Sequence, residues 1–94
     1  MLRVVATSQY KKDFKKILRG NQYDIHKLEM VVEMLARQEQ LPYKFKDHAL
    51  SGNYSGLREC HIESDWLLVY KVIDDALILS LSRTGSHSDL FRGN

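Results

Sequence analysis

The sequence has little of several features that mark common protein classes. It contains one cysteine, Cys60, so no disulfide can form within the chain, and a reducing cytoplasm is the expected setting. No apolar run approaches the roughly 18–20 residues that cross a bilayer. The first residues, M-L-R-V-V-A-T-S, are too soon interrupted by charge to form a signal peptide. With no repeats or low-complexity segments either, the chain is expected to form one cytoplasmic domain over residues 1–94, with no membrane partner.

The charge is small in total but unevenly placed. The net charge is +2, yet residues 1–46 hold ten basic and five acidic residues, a net +5, whereas residues 47–94 hold four and seven, a net −3. A basic half beside an acidic half suggests that one surface meets a polyanion. On charge alone, a solvated lysine-rich helix face is the simpler interpretation.

The first half of the chain has the pattern of one strand followed by two helices. Leu2–Ala6 is rich in β-branched residues, as strands are. Gln9–Arg19 places apolar side chains on one helical face and lysines on the other, and a Gly-Asn pair follows as a stop. A second, strongly periodic helix begins after Asp24 and is expected to end only at Leu41-Pro42. The two helices form a hairpin whose wide apolar faces need a sheet to cover them.

A loop over residues 43–56 separates the helices from the remaining strands. It shows neither helical nor strand periodicity, and a loop of this length in a small domain is unusual unless it is functional. It contains Lys44, Lys46 and His48 among tyrosines and a phenylalanine, which are residue types that meet phosphates and stack on bases. The loop is therefore a candidate substrate-binding segment.

The last third predicts three consecutive strands joined by tight turns, which makes the chain α+β. Residues 57–63 alternate, Trp66–Ile73 is apolar enough for a central strand covered on both faces, and residues 76–83 alternate again. Strict alternation puts Arg83 on the face of Leu79 and Leu81, and we expect it to escape by lying at the strand end. Ser64-Asp65 and an Asp-Asp pair form the turns.

This meander brings together side chains that can move protons. The end of its first strand, the start of its second and the end of its third meet at one edge, which gathers His61, Asp65 and Arg83, with His87 just beyond. Metal-free RNA cleavage needs a base for the 2′-hydroxyl, an acid for the leaving 5′-oxygen and a cation for the phosphate, and His, Asp and Arg supply them. No cofactor is then expected.

The same residues also allow interpretations that involve no RNA cleavage. Three histidines and an aspartate would suit zinc, but the sequence has neither a Cys-x-x-Cys nor a His-x-x-x-His pair, which disfavours a metal site. Trp66 is more often a core residue than a base-stacking platform, whereas Phe91, in a polar tail, could be either. Cys60 is expected to be a small packing residue.

Two motifs resemble a known family. The first is K-D-H-A-L-S-G-N-Y-S-G-L-R-E-C-H-I-E-S-D-W-L-L-V-Y-K and the second is R-T-G-S-H-S-D-L-F. Together they closely resemble the YafQ branch of the RelE/ParE toxin superfamily, the toxins of type II toxin–antitoxin pairs. The resemblance covers essentially the whole chain. It implies two helices packed on a mainly antiparallel four-stranded sheet in the order β-α-α-β-β-β, and an endoribonuclease that cuts messenger RNA in the ribosomal A site.

The resemblance also implies roles for individual residues. His87 would be the general acid, and His48, His61 and Asp65 would share the base and orienting work without a single base being singled out. Arg83 would hold the scissile phosphate. Phe91 would contact a base, with Trp66 beside Asp65, and together with Lys44 and Lys46 from the loop they make up the expected substrate-binding set.

The resemblance implies three kinds of partner. A cognate antitoxin would cover the site, the pair would meet operator DNA only as a complex, and the basic helices would meet ribosomal RNA. Two alternatives stay open: a ParE-like toxin that poisons DNA gyrase without catalysis, and a non-toxic interaction module.

Overall fold

The computed structural model describes residues 1–91, which contain eight helices and strands. The elements are β1 (Arg3–Ala6), α1 (Ser8–Gly20), α2 (Ile25–Ala36), β2 (His48–Ala49), β3 (Arg58–Glu63), β4 (Trp66–Ile73), β5 (Ile78–Gly85) and α3 (His87–Phe91). Single 3₁₀ turns lie at Tyr43–Phe45, Gly52–Tyr54 and Asp74–Ala76. No helix in residues 1–91 is both long and apolar enough to span a membrane.

The strands form one mixed sheet in the order β1-β5-β4-β3-β2. β1 runs parallel to β5 and the other neighbours are antiparallel, so the predicted α+β fold with a mainly antiparallel sheet is confirmed. The sheet has five strands because the loop adds β2. In this two-residue strand, His48 lies opposite Glu59 and Ala49 lies opposite Arg58.

Side chains cap the starts of both helices, but the second helix is shorter than expected. The hydroxyl of Thr7 accepts from the backbone N–H of Tyr10 at 3.0 Å, and the Asp24 carboxylate accepts from that of His26 at 3.0 Å. α2 ends at Ala36, because Gln38 takes a left-handed conformation with φ 61° and turns the chain. The prediction placed the end at Leu41-Pro42, where the sequence has its clearest stop signal.

The first five residues of β4, Trp66–Tyr70, are all buried, so this part of the strand is covered on both faces of the sheet. Leu68 and Tyr70 face α1 and α2 within the main cluster. Leu67 and Val69 point to the opposite side, where Leu90 of α3 packs on them. We call this side, away from α1 and α2, the open face. The predicted cover on both faces holds for this half of β4, whereas Lys71 and Ile73 are exposed.

A bulge in β5 decides where Arg83 points. Tyr70 pairs with Leu81, but its neighbour Val69 pairs with Arg83, so Ser82 is an extra residue. Leu81 and Arg83 therefore lie on opposite faces of the sheet, although they are two residues apart. The expectation that Arg83 escapes the leucine face by lying at the strand end is wrong, because β5 continues to Gly85 and the bulge turns the side chain.

Candidate active site

Three histidines meet on the open face. Directly opposed residues in a sheet share a face, and the pairs His48–Glu59 and His61–Leu67 place both imidazoles on the side of Leu67. His87, the first residue of α3, completes the row. The ring centroids of His48 and His61 are 6.4 Å apart, and those of His61 and His87 are 5.6 Å apart. The predicted convergence of the loop, β3 and the segment after β5 therefore produces a row of three imidazoles.

Glu59 lies beneath the row and was not predicted as a site residue. Its side chain is only 7% exposed, and Oε1 lies 3.4 Å from Nε2 of His48 and 3.6 Å from Nε2 of His61. A buried carboxylate needs polar or charged partners, and these two imidazoles are its close ones. The signal in the sequence was its spacing, since Glu59 and His61 stand two apart in an alternating strand and so share a face.

Asp65 holds His87 by two hydrogen bonds. Asp65 Oδ1 accepts from the backbone N–H of His87 at 3.0 Å and from Nδ1 of its ring at 2.7 Å. The backbone bond first, and then the ring bond, lower the pKa of Asp65, so this carboxylate stays ionised near neutral pH. An ionised acceptor fixes the proton of His87 on Nδ1 and directs Nε2 away from Asp65. The pair has the geometry of an oriented acid–base group.

The carboxylate of Asp13, on α1, holds the side chain of Arg83 in place. Its Nε and Nη2 donate to the two carboxylate oxygens of Asp13 at 2.8 and 3.2 Å, and the backbone N–H of Thr84 also donates to Asp13 at 3.1 Å. Asp13 is 8% exposed and was not predicted. The hydrogen bond to Asp13 raises the pKa of Arg83, which stays a cation. Within residues 1–91 no hydrogen bond or ion pair joins Arg83 to the three histidines.

Two aromatic side chains stand beside the site at the surface. Phe91 is 36% exposed and Tyr54 is 43% exposed, and their rings meet edge to face with centroids 5.2 Å apart. Phe91 was predicted to contact substrate, whereas Tyr54 was not singled out. The structure leaves both rings open to a base.

Trp66 is misplaced in the predicted substrate-binding set. It is fully buried, its ring stacks on Tyr23 at 4.3 Å, and its Nε1 donates to the hydroxyl of Thr84 at 3.0 Å. It has no surface to offer RNA, so we assign it to the core. Cys60 is also fully buried, and desolvation raises the pKa of its thiol to about 12, as expected of a packing residue.

Lys44 and Lys46 flank the site from the loop. Both are exposed, and they line a cleft of about 380 Å³ that His61 also lines. The Lys44 ammonium lies over the ring of Phe45, 5.3 Å from its centroid. The predicted position of both lysines beside the histidines is therefore compatible with contact to a phosphate.

Comparison with known proteins identifies the family. The model of the YafQ family, described as bacterial toxins of type II toxin–antitoxin systems, matches residues 2–92. This chain belongs to the YafQ toxin family. The predicted family is therefore confirmed over nearly the whole chain.

Relatives support the YafQ assignment in sequence and in structure. The mRNA interferase toxin YafQ of Escherichia coli K12 is 38% identical over 86 residues, which cover 90% of each chain. A copper-bound mutant toxin from Helicobacter pylori is 45% identical, with a TM-score of 0.88 over 97% of this chain and 100% of that one. YafQ in the E. coli DinJ–YafQ toxin–antitoxin complex is 36% identical, with a TM-score of 0.83 over 97% and 99%. An antitoxin is thus a partner of the family.

The site also contains three side chains that could hold a metal ion. Glu59, His61 and His87 each offer one ligand atom, and the three atoms lie within 4.8 Å of one another. One carboxylate and two imidazoles suit zinc or copper. The sequence disfavoured a metal because it contains no local ligand pair, but here the sheet and α3 bring together donors from separate segments.

Proposed function

We propose that this chain is an mRNA interferase, the toxin of a type II toxin–antitoxin pair. It is an endoribonuclease, since its curated relatives are named mRNA interferase toxins, and it acts on messenger RNA in the ribosomal A site in the cytoplasm. The observation that carries the proposal is the ionised Asp65 bound to His87 at 2.7 Å, with a second imidazole, that of His61, 5.6 Å away. Such a pair can supply an acid and a base on the two sides of one phosphate.

In the proposed mechanism His87 is the general acid. The 2′-oxygen attacks its own phosphorus, the bond from phosphorus to the 5′-oxygen breaks, and Nε2 of the protonated His87 gives its proton to that oxygen. Asp65 stabilises the imidazolium through Nδ1 and fixes its direction. The products are a 2′,3′-cyclic phosphate and a free 5′-hydroxyl.

In this proposal the candidates for the general base are reduced to two residues, His48 and His61. Asp65 was a third candidate, but it accepts two hydrogen bonds from His87 and so serves the acid. Glu59 contacts both remaining imidazoles and would stabilise whichever takes the proton of the 2′-hydroxyl.

Arg83 and the exposed aromatic pair bind the substrate in this proposal. The bidentate contact with Asp13 uses two of the five N–H groups of Arg83 and holds the guanidinium in place, so its remaining donors can meet the crowded phosphate. Phe91, with Tyr54 against it, would stack on a base.

The partners follow from the same proposal. An antitoxin would cover the histidine row, and operator DNA would be met only by the toxin–antitoxin complex. The exposed lysines of α1 would meet ribosomal RNA, which is a polyanion.

The decisive experiment replaces His87. His87→Ala should abolish growth arrest in E. coli and reduce message cleavage by about 10²–10⁴-fold. His26→Ala is the matched control, because His26 lies exposed on α2 and should leave both unchanged. Primer extension on messages after induction reads cleavage and its codon phase together. Unchanged toxicity of His87→Ala would contradict the mechanism, and gyrase-linked DNA breaks with intact messages would contradict the function.

A metal at Glu59, His61 and His87 would act as an inhibitor of this reaction. A relative from H. pylori is a copper-bound toxin, and the three donors here fit such an ion. A bound ion would occupy the imidazole nitrogens that must carry protons. We therefore predict that toxin treated with EDTA and then dialysed free of chelator cleaves ribosome-bound message as before, and that added Cu²⁺ lowers cleavage. Loss of cleavage by the EDTA-treated toxin, restored by a transition metal, would contradict the metal-free mechanism.

A further inference from the structure

A cleft with three lysines opens beside His61. It is enclosed by α2, the 3₁₀ turn at Tyr43–Phe45 and the end of β3, and its volume is about 380 Å³. Lys27, Lys44 and Lys46 line it, against one carboxylate, that of Glu63. The cleft therefore carries an excess of positive charge beside the middle histidine of the row, as expected of a channel for a polyanion.

The chemical character of the cleft suits a whole nucleotide. Met30 of α2, 49% exposed, supplies apolar surface within the cleft, whereas Phe45, 6% exposed, lies behind it in the core. The ammonium groups line the same space, and that of Lys44 lies over Phe45. Apolar surface beside fixed positive charge is the combination that holds a base against its own phosphate.

An ion pair connects two walls of the cleft. The Lys27 ammonium donates to Glu63 Oε2 at 2.7 Å, which joins α2 to the end of β3. The hydrogen bond from Lys27 to Glu63 raises the pKa of this lysine, so it is protonated at neutral pH. The pair is exposed enough for Lys27 to exchange the carboxylate for a phosphate.

The order of the histidines in the row indicates which nucleotide of the RNA lies in the cleft. The attacking 2′-oxygen and the leaving 5′-oxygen lie on opposite sides of the phosphorus in an in-line displacement. His87 serves the leaving oxygen, which belongs to the nucleotide on the 3′ side of the cut. The 2′-hydroxyl belongs to the nucleotide on the 5′ side, and it faces the base among His48 and His61. The cleft opens from His61, not from His87.

We propose that this cleft binds the nucleotide immediately 5′ of the cut, with Lys27, Lys44 and Lys46 on its 5′ phosphate and Met30 against its base. The inference rests on the proposed function and on His87 being the acid. It adds Lys27 and Met30 to the substrate contacts and fixes the direction in which the message crosses the protein.

A chemical double-mutant cycle tests the cleft on ribosomes carrying synthetic messages. After the cut has been mapped on the unmodified message, one message carries an uncharged methylphosphonate at the phosphate 5′ of the upstream nucleotide. A second message carries it at the phosphate 3′ of the downstream nucleotide. The toxin, its Lys27→Ala variant and the control Lys71→Ala are compared by kcat/KM. Lys71 is an exposed lysine on β4 that does not line the cleft.

Lys27→Ala should lower kcat/KM about three- to fivefold on the unmodified message, the size expected for one exposed ion pair. On the upstream-modified message, Lys27→Ala and the wild type should agree within about twofold, because the partner charge is gone. On the downstream-modified message, the full three- to fivefold loss should persist. Lys44→Ala should repeat the pattern, and Lys71→Ala should match the wild type on all three messages.

Several results would overturn the proposal. A full loss on the upstream-modified message would mean that Lys27 meets another phosphate or none. A loss that disappears only on the downstream-modified message would reverse the direction of the message. Unchanged cleavage by Lys27→Ala together with weaker antitoxin binding would assign the cleft to the antitoxin. Failure of the proposed function is a different result, since the wild type would then leave even the unmodified message intact.

Discussion

At the residue scale, Glu59 places a carboxylate in a buried position, where desolvation of the charged group costs folding free energy. Its carboxylate is buried and contacts the imidazoles of His48 and His61, the two residues proposed as candidates for the general base. A protein retains such a group at a cost in stability, which indicates a role beyond packing. We therefore treat Glu59 as the positioning residue for His48 and His61.

Glu59→Gln removes the charge and keeps the shape of the side chain. We expect kcat to fall by about 10–100-fold, as when an outer partner of a working histidine is lost, while the melting temperature stays the same or rises. Glu29→Gln, an exposed change on α2, is the control. Cleavage of ribosome-bound message and thermal unfolding measure the two effects. Equal kcat for Glu59→Gln and the wild type would exclude a positioning role.

Asp65 gives a prediction about pH. Its pKa is lowered from the ordinary 3.8 by the two hydrogen bonds from His87. A carboxyl whose pKa is lowered by folding adds stability above its unfolded pKa, and that stability is lost as pH falls through the lower folded value. The wild type should therefore exceed Asp65→Asn in melting temperature by a constant amount near neutrality, and the difference should shrink below about pH 4.

Thermal unfolding of both proteins between pH 3 and pH 7 measures this difference. Asp75→Asn, in the turn between β4 and β5, reports the cost of removing an exposed carboxylate that makes no contact with His87. A difference that stays constant to pH 3 would show that the contact between Asp65 and His87 does not stabilise the folded state.

At the element scale, Gly85 couples β5 to α3 and so places His87. Its φ is 151°, a conformation that L side chains rarely adopt. A Cβ there would lie 3.2 Å from both Cβ and Oδ2 of Asp89 and 3.5 Å from Cδ2 of Leu90. The first turn of α3 can therefore pack on β5 only because residue 85 has no side chain.

Gly85→Ala should destabilise the fold by about 1–3 kcal/mol and reduce cleavage further by moving α3. Gly20→Ala is the matched control, because a Cβ on Gly20 meets nothing within 4 Å. That change should be neutral or stabilising by about 0.4–1 kcal/mol. Urea unfolding and message cleavage measure both variants, and wild-type values for Gly85→Ala would contradict this role of the turn.

The helices and strands that the sequence predicted are those long enough to show a periodic pattern of apolar residues. α1, α2 and the three strands of the meander carry apolar repeats and turn residues. β2 and α3 have two and five residues, too few for any period, and they form because β3 and Leu67 with Val69 offer them partners. The bulge at Ser82 was equally hidden, since it depends on the register of β5 against β4.

The site residues that the sequence predicted are likewise those with a local signal, and the ones it missed depend on tertiary contacts. Asp65 and His87 were predicted together because a turn and a strand end bring them to one edge. Glu59 and Asp13 were missed because a buried carboxylate looks in the sequence like any solvated one. Trp66 was assigned to the substrate because the family resemblance places it beside Asp65, although its residue type alone favoured the core.

At the scale of the whole molecule, the histidine row and the exposed lysines of α1, the proposed contact with the ribosome, lie on different layers. The histidine row lies on the open face, whereas α1 and α2 cover the other face. Lys11, Lys12 and Lys15 are exposed on α1, within the half of the chain whose net charge is +5. A surface of this kind adds attraction to phosphates without reading sequence.

Replacing Lys11, Lys12 and Lys15 with glutamine should therefore weaken association with the ribosome and make it less sensitive to salt. Each phosphate contact adds roughly 0.7–0.9 to the slope of log affinity against log salt, so the slope should flatten by about 2–3 if all three lysines make contacts. Antitoxin binding and thermal stability control for folding, and ribosome binding between 50 and 200 mM salt gives the slope. An unchanged slope would mean that these lysines are only a solvated helix face, the simpler interpretation of the charge pattern.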